Sequence, residues 1–208
     1  LNPSPAAAII AGDAGLRAGL LAAASHLGVA TVSAPSELAG ALAGVAKEKL
    51  LAVAMSVPLA RAVIEGCGVI LTGPIEQLPR SAFNPGALQQ VVLESKFSGG
   101  IEGSFRLRLE LEFALTLGAQ ILGVPTEDFS PDFLPEVFNS LGQIITQNLA
   151  AGFQKAGLTC LLSPPAISTQ ARVQPEENLP PGAVYLPLGL QYQGKPIGLD
   201  FILHAGAA

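Results

Sequence analysis

The sequence predicts a mixed fold. An α/β region with a small parallel sheet spans residues 1–80, and an α+β region with an antiparallel sheet and two long helices spans residues 86–208. Three patterns carry this prediction. Short aliphatic runs alternate with Ala/Leu-rich amphipathic segments over the first 80 residues, as in strands covered by helices. Phe105, Leu107, Leu109 and Leu111 then alternate with Ser104, Arg106, Arg108 and Glu110, the period of two of a half-buried antiparallel strand. Finally, Leu134, Phe138, Leu141, Ile145, Leu149 and Phe153 recur at helical spacing.

In chain order, "AAAIIAG" is expected to be a strand and Ala14 to Leu27 a helix. "VATVSA" follows as a strand, then a helix from Ser36, its cap, to Lys49. "LLAVAM" is expected to be a strand, Leu59 to Gly66 a short helix and "GVILTG" a strand. Proline-rich "PIEQLPRSAFNP", Pro74 to Pro85, is expected to be a loop or linker. "LQQVVLESKF" and "SFRLRLEL" flank the glycine-rich turn "SGGIEG", and a helix runs from about Glu112 to Leu122. After the loop "GVPTEDFSPD", Asp132 is the expected N-cap of a long helix, with Pro135 in the first turn, where its missing N–H costs little. This helix should run to about Ala156 and stop at Gly157. "LTCLLS", "AISTQARVQ", "AVYLPLGLQYQ" and "PIGLDFILHA" complete the strands, the last two joined through "QGKP" as a hairpin.

The totals bound the function. Half of the 208 residues are apolar and 13% are charged, enough to bury a sizeable core. A net charge of −5, with no basic run, argues against nucleic acid as a partner, because no surplus of Lys and Arg is present to neutralise phosphates. Cys67, Cys160, His26 and His204 are too scattered for a zinc site, so neither metal nor cofactor is expected. "LNPSPAAAIIAGD" lacks the basic start of a signal sequence. No run of about 20 apolar residues predicts membrane insertion, which makes the cytoplasm the expected location.

The polar side of the long helix stands out. At 100° per residue, Glu136, Asn139, Ser140, Gln143 and Gln147 fall on one stripe opposite Phe138, Leu141 and Ile145. Between Asp132 and Lys155, Glu136 is the only charged residue. Solvated helix faces are more often filled with Lys and Glu, whereas amides and hydroxyls suit hydrogen bonding to a partner or a water. A polar face lying over its own sheet, or meeting a second subunit, would have the same composition.

From "SKFSGGIEGSFRLRLELEFALTLGAQILG" through the long helix and "GLTCLLSPPAI" to the C-terminal hairpin, the chain resembles the CheX-type chemotaxis phosphatases, relatives of CheC and of the flagellar switch proteins. The ordered features that carry the resemblance are the glycine turn, strand, helix, long helix and Ser163-Pro164-Pro165. The resemblance implies removal of a phosphoryl group from a CheY-type response regulator by a Glu-x-x-Asn pair on this helix. The amide orients the attacking water while the acid engages the regulator's lysine. The regulator's own aspartyl phosphate and metal supply the rest, so positioning is all that is required of the helper.

In a gapless alignment Ser140 takes the place of the acid and Gln143 that of the asparagine. Serine cannot make the ion pair, and glutamine carries its amide one methylene further out, where about 1 Å of misplacement can cost on the order of 100-fold in rate. Glu136 and Asn139 form a literal Glu-x-x-Asn one turn earlier, about 6 Å along the axis. The candidate site residues are therefore Gln143, Ser140, Glu136 and Asn139, as a vestigial or a displaced pair.

The N-terminal half resembles a degenerate response-regulator receiver domain: "AAAIIAGDAGLRAGLLAAASHLG" its first strand and helix, "VILTG" its fourth strand, and "SAFNPGALQQVV", just past residue 80, its turn into the last helix. Ala11 and Gly12 stand where the acidic pair would bind magnesium, with Asp13 alone nearby, "AVAMS" offers no aspartate to phosphorylate, and Ser81 replaces the lysine, while Thr72 is kept. An unrelated small α/β domain is the other reading.

Three functions follow: a non-catalytic module binding a CheY-type regulator or another signalling protein, an active aspartyl-phosphate phosphatase, or a structural subunit of a switch-like assembly. The resemblance also implies a homodimer through sheet edges, for which "AVYLPLGLQYQ" and "FRLRLEL" are the candidate strands.

Overall fold

The computed structural model describes residues 21, 23–29, 47–71, 73–78, 89–155, 157–171 and 179–204. Helix α1 covers Lys47–Gly68, and strands β1 (Ile75–Leu78), β2 (Gln89–Gly99) and β3 (Gly103–Glu110) follow. Helix α2 covers Leu111–Leu122, and two 3-10 turns, Thr126–Asp128 and Pro131–Phe133, lead into helix α3, Leu134–Lys155. Strands β4 (Cys160–Leu162), β5 (Ala166–Ala171), β6 (Val184–Tyr192) and β7 (Lys195–Leu203) complete the described elements.

The strands form one sheet in the order β1-β6-β7-β3-β2-β4, with β5 also on β2, and every pair is antiparallel. The β6–β7 hairpin closes through Gln193 and Gly194, both at positive φ, the two-residue turn whose twist matches that of the strands. Leu93, Leu107, Leu199 and Leu188 stand side by side across four strands, on the face that α3 covers. Phe97 joins the layers, stacking on Phe201 and meeting the edge of Phe153 of α3, each at 5.4 Å between centroids. All six apolar positions predicted for the long helix are buried.

The C-terminal end of α3 follows the prediction: Gly157 is left-handed, and Leu158 N–H donates to Phe153 O at 2.9 Å. Its start does not. The capping hydroxyl belongs to Ser130, which accepts from Asp132 N–H at 3.3 Å, so the chain enters α3 through a capped 3-10 turn and Asp132 is not the N-cap.

The stretch before residue 86 departs most from expectation. "LLAVAM" is not a strand but part of α1, continuous with the segment expected as a short helix. Ala52, Met55, Leu59, Ala62, Val63 and Cys67 are buried at helical spacing, and Pro58 lies inside the helix. Pro58 sits against Gly152 of α3, and Gly66 against Ile145, so the two helices run antiparallel in close contact. Residues 68–71 close α1 in a turn, with Leu71 N–H on Cys67 O at 2.8 Å, and form no strand. β1 occupies part of the expected linker, and Gln89 to Val92 lie in β2, as the run "LQQVVLESKF" before the glycine turn implies and not in the helix that the receiver resemblance expects. No two strands run parallel among the described residues. "AAAIIAG", residues 30–34 of "VATVSA", Ser36 and the receiver positions Ala11, Gly12, Asp13, Thr72 and Ser81 lie outside them.

One sequence expectation about edges is also corrected: β3 lies between β7 and β2 and is not an edge strand. β6 pairs with β7 along its whole length, while β1 covers only Gly189–Tyr192 of its other side. β3 is moreover buried on both faces: Arg108, on the polar side of its alternation, is 3% exposed. Arg108 Nη2 donates to Asp200 Oδ1 at 2.8 Å, and its Nε lies 2.7 Å from Oδ2, a two-pronged pair. Tyr185 O–H donates to the same carboxylate at 2.9 Å. Burial pushes the Asp200 carboxyl up from its ordinary value, against the pull of Arg108 and Tyr185.

Removing one partner of this pair leaves a buried charge uncompensated. Arg108→Met should cost about 3–5 kcal/mol in urea unfolding, and adding Asp200→Leu should recover most of it. Burial also pushes the Cys67 thiol up to about 12, so at pH 8 a thiol reagent should titrate Cys160 in the folded protein and reach Cys67 only on unfolding.

Candidate functional site

Burial of one side of α3 decides what the other presents. Glu136, Ser140, Gln143 and Gln147 are exposed along a single line, and Asn139 is half-buried at its margin. The stripe therefore faces outward and does not lie over the chain's own sheet. All four sequence-predicted site residues share this surface: Ser140 and Gln143 at the centre, Glu136 and Asn139 one turn nearer the N-terminus.

Their chemistry is that of neutral hydrogen-bonding groups plus one carboxylate. Ser140 O–H donates to Glu136 O at 3.3 Å, so the hydroxyl is turned back on its own helix, the usual behaviour of serine inside a helix. Gln143 extends free of the core, while its carbonyl accepts from Thr146 O–H at 2.9 Å. This surface can orient a water or hold a partner's polar groups. At its centre it offers no charge to a cation, because Ser140 cannot supply one.

The sequence did not reveal how Ser163-Pro164-Pro165 sits beside α3. Pro165 lies against Gly142, where an added Cβ would be 2.8 Å from Pro165 Cβ and from Leu93 Cδ1. Gly142 thus lets the chain between β4 and β5 approach the helix next to Gln143. A glycine in the middle of a helix was the available signal, since it costs about 1 kcal/mol relative to alanine unless something needs the space. Ser163 fixes that segment to β2: its N–H donates to Lys96 O at 2.8 Å, its hydroxyl accepts from Lys96 N–H at 2.9 Å, and its carbonyl accepts from Ser95 O–H at 2.8 Å.

Among the described residues, no group of three or more His, Cys, Asp or Glu side chains is arranged to hold a metal, and no helix is long and apolar enough to cross a membrane.

No family model and no curated protein matches the chain. Solved structures do. The chain is similar to the chemotaxis protein CheX from Vibrio vulnificus at 10% identity and a TM-score of 0.59, over 72% of this chain and 96% of that one. It is similar to FliY from Thermotoga maritima at 15% identity and a TM-score of 0.55, over 84% and 93%. It is also similar to a chain of the CheX–CheY–BeF3–Mg2+ complex from Borrelia burgdorferi at 19% identity and a TM-score of 0.53, over 71% and 96%. A share of 72% is about 150 residues of 208, more than the 123 that follow residue 85, so the likeness to CheX reaches into the stretch before residue 86. At these identities what is shared is the fold: an antiparallel sheet with helices, of the CheX and FliY kind.

Proposed function

We propose that the chain is a signalling protein of a chemotaxis or two-component-like pathway that binds a CheY-type response regulator through the exposed face of α3, with little or no catalysis of its own. The observation that carries this reading is the outward line of Glu136, Ser140, Gln143 and Gln147, with serine where the resemblance expects the acid. The fold supports it, and one structural neighbour is a CheX held in a complex with CheY. A surface that holds a regulator by hydrogen bonds but lacks the carboxylate for its lysine would bind without accelerating hydrolysis.

A structural role is the second reading, favoured by the likeness to FliY, which covers the larger share of this chain. Self-association through sheet edges would use β1 or the β4–β5 edge.

Two measurements test the proposal. Phosphate release from a phosphorylated CheY-type regulator should be unchanged by stoichiometric protein, although the two bind. Acceleration would make the chain a phosphatase, and Gln143→Ala and Asn139→Ala would then tell the central pair from the displaced one. Conversely, Ser140→Glu with Gln143→Asn should create activity, at least about tenfold above the unaltered chain, if the stripe docks the regulator in the expected register.

A further inference from the structure

We propose that the exposed face of α3 continues past the helix N-terminus into a docking surface for a cationic protein partner, with Phe133 at its centre and Glu127, Asp128, Asp132 and Glu136 around it. This deepens the function proposed above and rests on it, by stating the chemistry of the surface that must face α3.

The observation that opens the case is apolar. Of the six large hydrophobic side chains exposed among the described residues, three lie at the end of α2 and in the connection to α3: Leu122 at 50%, Val124 at 40% and Phe133 at 49%. Phe133 ends the 3-10 turn that runs directly into α3, since Leu134 is already helical. At helical spacing it falls in line with Glu136 and Ser140, so the polar stripe gains an aromatic at its end. Aromatic side chains, Phe included, are enriched at the cores of protein interfaces.

The support is fixed. Gly123 is left-handed, and Val124 N–H donates to Ala119 O at 3.0 Å, capping α2. Phe129 is buried over Gly118, where an added Cβ would be 2.5 Å from the ring, and its own ring lies 6.4 Å from that of Phe133. Ser130 caps the next turn. Phe133 is held outward by a buried neighbour.

Charge selects the occupant. From residue 109 to residue 154 every charged side chain is acidic: Glu110, Glu112, Glu127, Asp128, Asp132 and Glu136. The last four are exposed in the α2–α3 connection and the first turn of α3. Favourable interaction with the helix dipole accounts for Asp132 and Glu136. It does not account for Glu127 and Asp128, a full turn outside the helix, nor for the exposed ring of Phe133. A second copy of the chain would bring like charges together, and nucleic acid or an anionic membrane would be repelled. A protein surface with Lys or Arg around an apolar centre fits both features.

Association of the full chain with a CheY-type regulator, followed by stopped flow at 50 and 300 mM salt, tests this. The on-rate should fall about tenfold between the two salts. It should fall at least about threefold at low salt in Asp128→Asn/Asp132→Asn, but not in Glu65→Gln/Glu102→Gln, which removes the same charge elsewhere. Phe133→Ala should speed dissociation. If the regulator binds and none of these rates moves, the inference is overturned while docking on α3 stands. If the regulator does not bind, the proposed function fails, and an amphipathic Lys/Leu helical peptide then decides the inference. Peptide binding that weakens in Asp128→Asn/Asp132→Asn and in Phe133→Ala, but not in the control, upholds the surface; equal binding by all four overturns it.

Discussion

Phe138, Leu141, Ile145, Leu149 and Phe153 are fully shut off from water between α1, the sheet and α3 itself. Everything functional depends on that seam. A buried residue of this size contributes about 1.5–3 kcal/mol relative to exposure, so rotating α3 by even one position would forfeit far more than any surface contact could return. The helix is therefore locked about its axis, and its outward residues are a fixed sequence of groups. Phe97, wedged between Phe153 and Phe201, ties the same lock to the sheet. Gly142, Gly152 and Gly66 let Pro165, Pro58 and α1 come close enough to hold it.

The outward groups explain why the site resists a simple label. An amide and a hydroxyl can orient water or hold a polar partner. Neither can answer a lysine as a carboxylate does. The serine's hydroxyl is already engaged by its own helix. The stripe departs from the pair that the resemblance implies at two central groups, the missing carboxylate at Ser140 and the longer amide at Gln143, and not in the fold around them.

Much of this was legible in the sequence where one period dominated. The α3 stripe, its left-handed stop at Gly157, the glycine turn before β3 and the final hairpin all follow from local rules and were found in place. α1 departs from expectation because "LLAVAM" is a short apolar run that fits a strand as well as a helix. β1 was missed because prolines surround four residues whose only reason to be extended is a partner more than a hundred positions later. The alternation in β3 gave the direction of its side chains but not the burial of both faces. Arg108 is in a hydrophobic environment because Asp200, 92 residues on, meets it there. Pairings across such distances carry no local signature, and for the same reason the seat of Pro165 on Gly142 could not be read in advance.

Ser163 has one more consequence. β2 is the longest strand described, yet its outer side is covered by two short pieces, β4 and β5, separated at Ser163-Pro164-Pro165. The serine bonds to β2 on both its backbone groups and its hydroxyl, so the join is fastened at the point where the ladder would otherwise have a gap. The two pieces can then open independently. Exchange of β5 amides with solvent is then expected to be separable from that of β4. The prolines thereby divide a single border into two segments, each with its own ladder to β2.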